Sequence, residues 1–97
     1  MSVTVTLKFE TKPESTSDLE ALFADMLPDT RSYKGCISVV VMKRAGDPDS
    51  WFVLEEWETQ KDHESYMKWR AETGALNAAT AMFAGDLSIS YWEQTGM

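Results

Sequence analysis

A glutamate and a tryptophan close a strand-like segment, and together they could perform acid–base chemistry on a flat ligand. Alternation along residues 51–57 places Glu55 and Trp57 on one face, together with Trp51 and Val53. A carboxyl group among apolar side chains loses hydration, which raises its pKa and suits it to act as a general base near neutral pH. Two structural alternatives stay open: Glu55 could bond a backbone group or a tyrosine, and Trp57 could belong to the core.

The helix predicted after this strand carries the next candidate groups. His63, Tyr66, Met67 and Arg70 share one helical face, and Trp69 lies beside it. Tyr66 could donate its phenolic proton to a ligand oxygen, and Arg70 could stabilise a phenolate. An ion pair with one of the many acids is the structural alternative for Arg70. His63 is the only histidine, and we expect it at the surface or the helix start and not in catalysis. With Trp69 and Arg70 it is a candidate for contact with the substrate.

The end of the chain adds three candidates for ligand contact. Asn77 is the polar residue of the third helical segment that is expected to reach inward, while Phe83 and Tyr91 add aromatic rings. A lining rich in Trp, Tyr, Phe and Met with few polar groups suits a flat hydrophobic ligand. A metal site is not predicted, because one histidine without an HExxH-like pairing and one cysteine, Cys36, are too few ligands.

Composition narrows the classes of partner. The 97 residues carry a formal net charge of −7 and a hydrophobic fraction of 43%, which favours one folded domain over residues 1–97. Nucleic acid is not an expected partner, because phosphate binding depends on clustered Lys and Arg. No hydrophobic run approaches the ~20 residues that span a bilayer, so no membrane association is expected and a cytoplasmic protein is the default.

Hydrophobic periodicity and turn formers predict where the elements lie. Alternation predicts strands at about residues 3–10, 36–44, 51–58 and 87–92. Helical spacing predicts helices from a Ser17–Glu20 capping box to Pro28, then at about 60–70 and 75–84, with Thr59 as the cap of the second. Pro28–Lys34 is predicted to be an irregular connection, Gly74 to interrupt the helical pattern, and Gly85 to occupy a left-handed helix end.

The order β-α-β-β-α-β predicts an α+β fold of the ferredoxin-like, split βαβ type with an antiparallel sheet. Phe52 and Leu54 of the third strand lie on the face opposite Glu55. Ile37, Val39 and Val41 of the second strand are expected to share that face. Two helices can cover only one face of a sheet, so the second apolar face predicts a homodimer.

Several segments together resemble the antibiotic biosynthesis monooxygenase (ABM) domain family. They are Arg31–Cys36, the alternating second strand, the Asp-Pro-Asp turn at 47–49, and Phe52–Thr59 with its Glu-x-Trp pattern. The resemblance implies a dimeric α+β barrel with a cleft between sheet and helices. It also implies oxidation of anthrone- or quinol-like aromatic substrates by O2 without metal or flavin, starting from a deprotonated substrate.

The resemblance also assigns roles to residues of this chain. Glu55 matches the family's orienting group or base, and Trp57 matches its pocket wall. Tyr66 falls where many members carry histidine, and we take it with Glu55 as the catalytic pair. The haem-degrading branch uses an Asn on the first strand, a Trp and a helical His as iron ligand. Trp57 matches the Trp, but the region of Thr6 has no Asn and the ligand histidine is missing, so haem degradation is the less expected alternative, with His63 as the one histidine that could serve it. The alternative to an enzyme is a non-catalytic module that binds a hydrophobic ligand or only dimerises.

Overall fold

Four antiparallel strands and three helices make up residues 2–97, the part of the chain that the computed structural model describes. The strands are β1 (Val3–Glu10), β2 (Cys36–Lys43), β3 (Ser50–Trp57) and β4 (Ser88–Trp92), in the sheet order β2-β3-β1-β4. The helices are α1 (Thr16–Ser32), α2 (Gln60–Thr73) and α3 (Ala75–Thr80). This is the predicted ferredoxin-like α+β fold. No helix within residues 2–97 is long and apolar enough to cross a membrane.

The pairing of β3 decides which of its side chains meet the helices. Glu55 lies opposite Val5 of β1 and Val39 of β2, and Trp57 lies opposite Val3. All five side chains are buried, on the sheet face that the helices cover. Their neighbour Glu56 lies opposite Thr4 on the other face and is hydrogen-bonded to it. The predicted separation of Glu55 and Trp57 from Glu56 is therefore confirmed.

The face predicted for the second strand is wrong, and a β-bulge is the reason. Cys36 lies opposite Trp57, but Ser38 lies opposite Glu56, so that Ile37 is an extra residue in β2. A one-residue shift moves every following side chain to the other face of the sheet. Val39 and Val41 therefore face the helices. Val40 and Met42, opposite Leu54 and Phe52, lie on the uncovered face instead.

The start of α1 differs from the predicted capping box. A 3₁₀ turn, Pro13–Ser15, comes first, and Ser17 lies inside the helix. Thr16 is buried, and its hydroxyl bonds Asp49 at 2.5 Å and Thr11 at 2.6 Å. Hydrogen bonds to distant parts of the chain therefore position this helix start, and a local capping motif does not.

The irregular connection predicted from Pro28 is also wrong, since α1 continues through Pro28 to Ser32. A proline inside a helix removes one backbone hydrogen bond and strains the preceding turn. Here α2 supplies compensating bonds: Arg70 donates to the Met26 carbonyl at 2.8 Å, and Tyr66 bonds Thr30 at 2.6 Å. Both bonds are made over a sequence separation that no local pattern reveals.

The break between α2 and α3 was predicted correctly, but the ends of both helices were not. Thr59 caps α2 by accepting the Asp62 N–H at 3.0 Å, and Gly74 ends it with φ of 84°. The helix reaches Thr73, three residues beyond the predicted end. α3 stops at Thr80, because the following segment bonds the end of β1, with the Ala84 N–H donating to the Glu10 carbonyl at 2.8 Å. Gly85 does not have a positive φ, so its predicted left-handed conformation is wrong.

Candidate active site

A narrow cavity lies between the helices and the covered face of the sheet. Its volume is about 70 Å³, and its lining is almost entirely apolar. The sheet contributes side chains such as Leu7, Val39 and Val53, and the helical layer contributes others such as Met26, Met67 and Leu76. Among residues 2–97, four polar side chains reach it: Thr30, Glu55, Tyr66 and Arg70. The cleft that the family resemblance implies is therefore present, and three of its four polar groups come from the helices.

Glu55 is the carboxyl group of this cavity. Its side chain is almost fully buried, and its Oε1 accepts a hydrogen bond from Trp57 Nε1 at 2.7 Å. Burial raises the pKa of Glu55 above its ordinary value, and the Trp57 hydrogen bond opposes that rise to a smaller extent. A carboxyl group shifted in this direction is a better base than an exposed glutamate once it has ionised.

Trp57 supports Glu55 and does not line the cavity. The indole is fully buried and lies edge-on to His63, with ring centroids 5.3 Å apart. Its N–H is directed at the Glu55 carboxyl group, so the orientation of that group depends on the indole. The alternative of a core tryptophan describes its placement better than a pocket wall.

His63 lies in the first turn of α2, as one of the two predicted places required, but it is fully buried, so the predicted surface position is wrong. It shares the α2 face of Tyr66 and Arg70, and that periodicity was sufficient to place it inward. Nδ1 lies 2.8 Å from the Tyr91 hydroxyl, while Nε2 has no hydrogen-bond partner among residues 2–97 and lies 3.7 Å from Glu55 Oε1. Burial lowers the pKa of His63 to about 4. The imidazole is therefore neutral at pH 7, and it forms no ion pair with Glu55 there.

Tyr66, Arg70 and Thr30 form a buried hydrogen-bonded group at the α1–α2 side of the cavity. Tyr66 OH lies 2.6 Å from Thr30 Oγ1, and Arg70 Nε donates to that phenolic oxygen at 2.9 Å. Arg70 Nη2 donates to Thr30 Oγ1 at 3.1 Å. Within residues 2–97 no carboxylate lies in ion-pair range of Arg70, so the ion pair considered from the sequence is absent there.

Of the remaining predicted site residues, one lines the cavity and three lie outside it. Phe83 lines the cavity and stacks on Phe9, with centroids 4.2 Å apart. Trp69 lies outside it, with the Arg70 guanidinium 4.5 Å above its ring. Tyr91 is half-buried on β4 beside His63, and burial raises its pKa. Asn77 is exposed on α3 and does not reach the cavity.

Thr30 is the polar cavity residue that the sequence did not predict. It was assigned to an irregular connection because Pro28 was taken as a helix end. It lies four positions after Met26, so the helical spacing of the apolar stripe, continued through the proline, would have placed it inward. Its position therefore depends on the same hydrogen bonds that allow α1 to pass Pro28.

Metal-ligand and thiol chemistry are the other possibilities for a site of this size. In residues 2–97, no group of three or more His, Cys, Asp or Glu side chains is arranged to hold a metal ion. Burial raises the pKa of the Cys36 thiol, with the nearby Glu55 charge acting in the same direction. The thiol form is therefore favoured, which agrees with Cys36 as a small apolar residue of β2.

Taken together, the cavity combines a carboxyl group of raised pKa with a phenol and a guanidinium in an apolar space. Such a site can accept a proton from a bound molecule and donate hydrogen bonds to its oxygen atoms. The lining is almost entirely apolar, which strengthens electrostatic interactions in the site.

Comparisons with known proteins show which proteins share this fold. A search of curated proteins found no match. Among solved structures, a conserved protein from Methanosarcina mazei Go1 superimposes with a TM-score of 0.89 at 18% identity, over 98% of this chain and 94% of that one. A structure described as an antibiotic biosynthesis monooxygenase gives a TM-score of 0.87 at 17% identity, over 96% of this chain and 98% of that one.

A further similar structure is a mutant of SnoaB from Streptomyces nogalater, which is described as a cofactor-independent oxygenase. It gives a TM-score of 0.82 at 12% identity, over 97% of this chain and 93% of that one. Identities this low show a shared fold only. The family model described as Antibiotic biosynthesis monooxygenase matches residues 2–78, which is most of the chain. The chain therefore belongs to the antibiotic biosynthesis monooxygenase family.

Proposed function

We propose that this protein is a monooxygenase that oxidises a small aromatic substrate of the anthrone or quinol type with O2, using neither metal nor flavin. One observation carries the proposal: Glu55, with a raised pKa, and Tyr66 line the same apolar cavity. Family membership and the resemblance to SnoaB, which is described as a cofactor-independent oxygenase, support the same class of reaction.

The proposed reaction begins with proton transfer from the substrate to the Glu55 carboxylate. The resulting electron-rich anion gives one electron to O2, and the two radicals combine to form a carbon–oxygen bond. Glu55 then returns the proton to the peroxide, and loss of water leaves the quinone. The substrate thus loses two hydrogen atoms and gains one oxygen atom, the other oxygen atom leaving as water. Tyr66 is proposed to donate a hydrogen bond to the substrate oxygen, and Trp57 and His63 to hold the Glu55 carboxyl group in place.

Ligand entry requires the cavity to widen. Its volume of about 70 Å³ is below the roughly 300–1,000 Å³ of pockets that hold drug-sized ligands. Met26 and Met67 on the helical side are the groups best suited to move, because methionine side chains are unbranched and adapt their shape. Arg70 and Phe83 are proposed to contact the substrate in the widened site.

We further propose a homodimer, formed through the sheet face that the helices leave uncovered. Val40 and Trp92 on that face are about half exposed, at 49% and 56%, and Met42 is exposed as well. Leu54 and Phe52 lie opposite Val40 and Met42 and extend the apolar surface across β3. A contiguous apolar patch of this kind is uncommon on a monomer.

A second candidate is a non-catalytic module that binds a hydrophobic ligand. The narrow cavity favours it, since a small apolar space fits storage or sensing as well as turnover. The two functions differ in one observable: the module would be stabilised by a ligand without consuming oxygen.

Oxygen uptake by metal-stripped, flavin-free protein separates the two candidates. We expect uptake with an anthrone, which gives the anthraquinone, and with a naphthohydroquinone, which gives the hydroxylated naphthoquinone, because each product gains one oxygen atom. Ala79 lines the cavity on α3, whereas its neighbour Ala78 is exposed. Ala79→Leu, which fills the cavity, should therefore lower the rate at least tenfold, while Ala78→Leu should not change it. Ligand-induced stabilisation without uptake for either substrate class would instead identify the module, and equal rates in both variants would place the reaction elsewhere.

A further inference from the structure

One buried side-chain atom among residues 2–97 has no hydrogen-bond partner, and it is Nε2 of His63. The whole side chain is buried. A buried donor or acceptor without a partner costs folding free energy, so its presence in a folded protein calls for an explanation. Glu55 Oε1 lies 3.7 Å from this nitrogen. That distance is longer than a hydrogen bond, but a small rotation of the carboxyl group closes it.

The sheet register places Glu55 and Tyr91 on opposite sides of the His63 ring. Val5 of β1 lies opposite Glu55 of β3 and also opposite Tyr91 of β4. Neighbouring strands are about 4.8 Å apart, so about 10 Å separates the outer two residues of this row. The imidazole of His63 spans the gap from α2, with Nδ1 2.8 Å from the Tyr91 hydroxyl and Nε2 on the Glu55 side.

The hydrogen bond from Trp57 decides which nitrogen of His63 carries the proton. An indole N–H can only donate, so Glu55 Oε1 is the acceptor in the 2.7 Å bond. The proton of a neutral Glu55 carboxyl group is then on Oε2, and Oε1 presents a lone pair to Nε2. An unprotonated Nε2 would repel that lone pair. Neutral His63 therefore has its proton on Nε2, while Nδ1 accepts a hydrogen bond from Tyr91.

We propose that the Nε2–H group of His63 is a donor that stays unused until Glu55 ionises and then bonds Oε1 of the carboxylate. Tyr91 holds the imidazole ring at the angle that this bond requires. Trp57 and His63 then both donate to Oε1, so Oε2 is the oxygen that takes the substrate proton. Within residues 2–97, Oε2 accepts no hydrogen bond and is not fully buried. His63 and Tyr91 are thus positioning residues, and the inference rests on the proposed function in taking Glu55 as the base.

The charge of Glu55 determines the strength of this contact. A hydrogen bond to a carboxylate is shorter and stronger than one to a neutral carboxyl group, so the Nε2–H group favours the ionised form. Other ionisable groups near His63 are the Tyr66 phenol, with ring centroids 6.3 Å apart, and the exposed Glu64. Burial dominates the pKa of both His63 and Tyr91, and the negative charge of Glu64 raises both to a smaller extent. Neither group bonds Nε2.

Nitrogen NMR of the imidazole tests the proton position directly, because His63 is the only histidine of the chain. In ligand-free protein labelled with 15N-histidine, we expect a protonated Nε2 and an unprotonated Nδ1 at pH 7. The signal of the Nε2 proton should move to lower field as Glu55 ionises, because the hydrogen bond shortens. A proton on Nδ1, or an Nε2 proton whose signal does not follow Glu55, would overturn the inference.

Two substitutions of similar size separate hydrogen-bond donation from the filling of space. His63→Met has no donor, so the pKa of Glu55, followed by its carboxyl 13C signal, should rise by about one unit or more. His63→Gln keeps an N–H near the position of Nε2 and should return that pKa most of the way to the wild-type value. Tyr91→Phe should raise it less than His63→Met, because the donor is retained. An unchanged Glu55 pKa in folded His63→Met would contradict the inference.

Activity gives a second readout that a space-filling histidine would not change. The low-pH limb of kcat/KM should move upward in His63→Met and back in His63→Gln, following the pKa of Glu55. If His63→Met does not fold, the position of the proton in the wild-type protein still decides. The proposed function fails separately, by the absence of oxygen uptake in a protein that has the Nε2 proton. Oxygen uptake by a protein with its proton on Nδ1 would contradict only this inference.

Discussion

Glu55, His63 and Arg70 are three ionisable side chains that the protein removes from water, and each is treated differently. Glu55 receives one hydrogen bond from Trp57 and has a raised pKa. His63 is kept neutral, with one ring nitrogen at Tyr91 and the other without a partner among residues 2–97. Arg70 keeps its charge and has only neutral partners there. Each of these arrangements lowers stability, and they occur around one cavity, which is typical of a functional site.

The neutral state of His63 makes the protein sensitive to acid. Its pKa is about 4 when folded against an ordinary value of 6.5, so the unfolded chain takes up a proton first as the pH falls. The contribution of neutral His63 to the free energy of unfolding is fully present above pH 6.5 and is lost as the pH falls from 6.5 to about 4. Between pH 7 and 4.5 the loss is about 2 kcal/mol. The raised pKa of Glu55 makes a compensating ion pair with a protonated His63 less favourable.

Urea unfolding at several pH values checks this prediction. The free energy of unfolding of the wild-type protein should fall more steeply toward acid than that of His63→Gln, by about 2 kcal/mol over that interval. The raised pKa of Glu55 has the opposite effect, because its contribution to folding stability is lost as the pH rises. Both proteins contain Glu55, so this contribution does not distinguish them. Parallel pH profiles for the two proteins would contradict the assignment of a neutral, buried His63.

At the scale of elements, the pattern of the sequence predicts the strands well and the helix ends less well. Alternation places Glu55 and Trp57 on the covered face because the two residues belong to one uninterrupted strand. The face of β2 could not be predicted in the same way, since the bulge at Ile37 is visible only once Cys36 and Ser38 have paired with β3. The burial of His63 follows from its helical face, but its meeting with Tyr91 and Glu55 depends on how α2 packs over the sheet.

The passage of α1 through Pro28 is the clearest case of tertiary structure overriding a local signal. Proline correctly indicates a lost hydrogen bond. The bonds from Arg70 and Tyr66 that hold the last turns of α1 come from residues about forty positions away. Thr30 therefore could not be assigned to the site by a procedure that ends the helix at the proline.

The connection between α1 and β2 contains a glycine that packs directly on the start of α2. Gly35 has φ of 89°, and a Cβ atom there would collide with the Asp62 side chain. Gly46, in the β2–β3 turn, has a similar φ of 81° but open space around it. Gly46→Ala should therefore cost only the backbone penalty of about 1 kcal/mol. Gly35→Ala should lower the free energy of unfolding by about 1–3 kcal/mol more than Gly46→Ala does, because the added Cβ atom overpacks against the Asp62 side chain.

Thermal or urea denaturation of the two alanine variants measures this difference. The comparison cancels the cost of a left-handed backbone, which both positions share. Equal destabilisation would mean that the N-terminus of α2 can shift away from Gly35 without loss, and that this contact does not position the helix that carries His63, Tyr66 and Arg70.

At the scale of the whole molecule, the sheet has one face covered by helices and the cavity, and one open face that carries an apolar patch on β2 and β3. Membership of the antibiotic biosynthesis monooxygenase family places the chain in a group of proteins with this architecture. The proposed dimer would bury the open face while leaving the cavity within each subunit.

A single charge on the open face tests the proposed dimer. Val40→Asp places a carboxylate in the apolar patch that β2 and β3 form on that face, and we expect the protein to sediment as a monomer while the wild type sediments as a dimer. Ala45→Asp adds the same charge at an exposed position of the β2–β3 turn, away from the face, and should remain dimeric. A monomeric wild type, or a Val40→Asp protein that stays dimeric, would place any interface elsewhere.

The central claim is that Glu55 accepts the substrate proton in the cavity. Steady-state oxygen consumption by Glu55→Gln, compared with Glu56→Gln, tests it most directly, because the two neighbouring glutamates lie on opposite faces of β3. A glutamine at position 55 can still accept the Trp57 hydrogen bond, so the fold is expected to survive. The account predicts that kcat falls about 100-fold or more in Glu55→Gln and stays near the wild-type value in Glu56→Gln. Full activity in Glu55→Gln would contradict it.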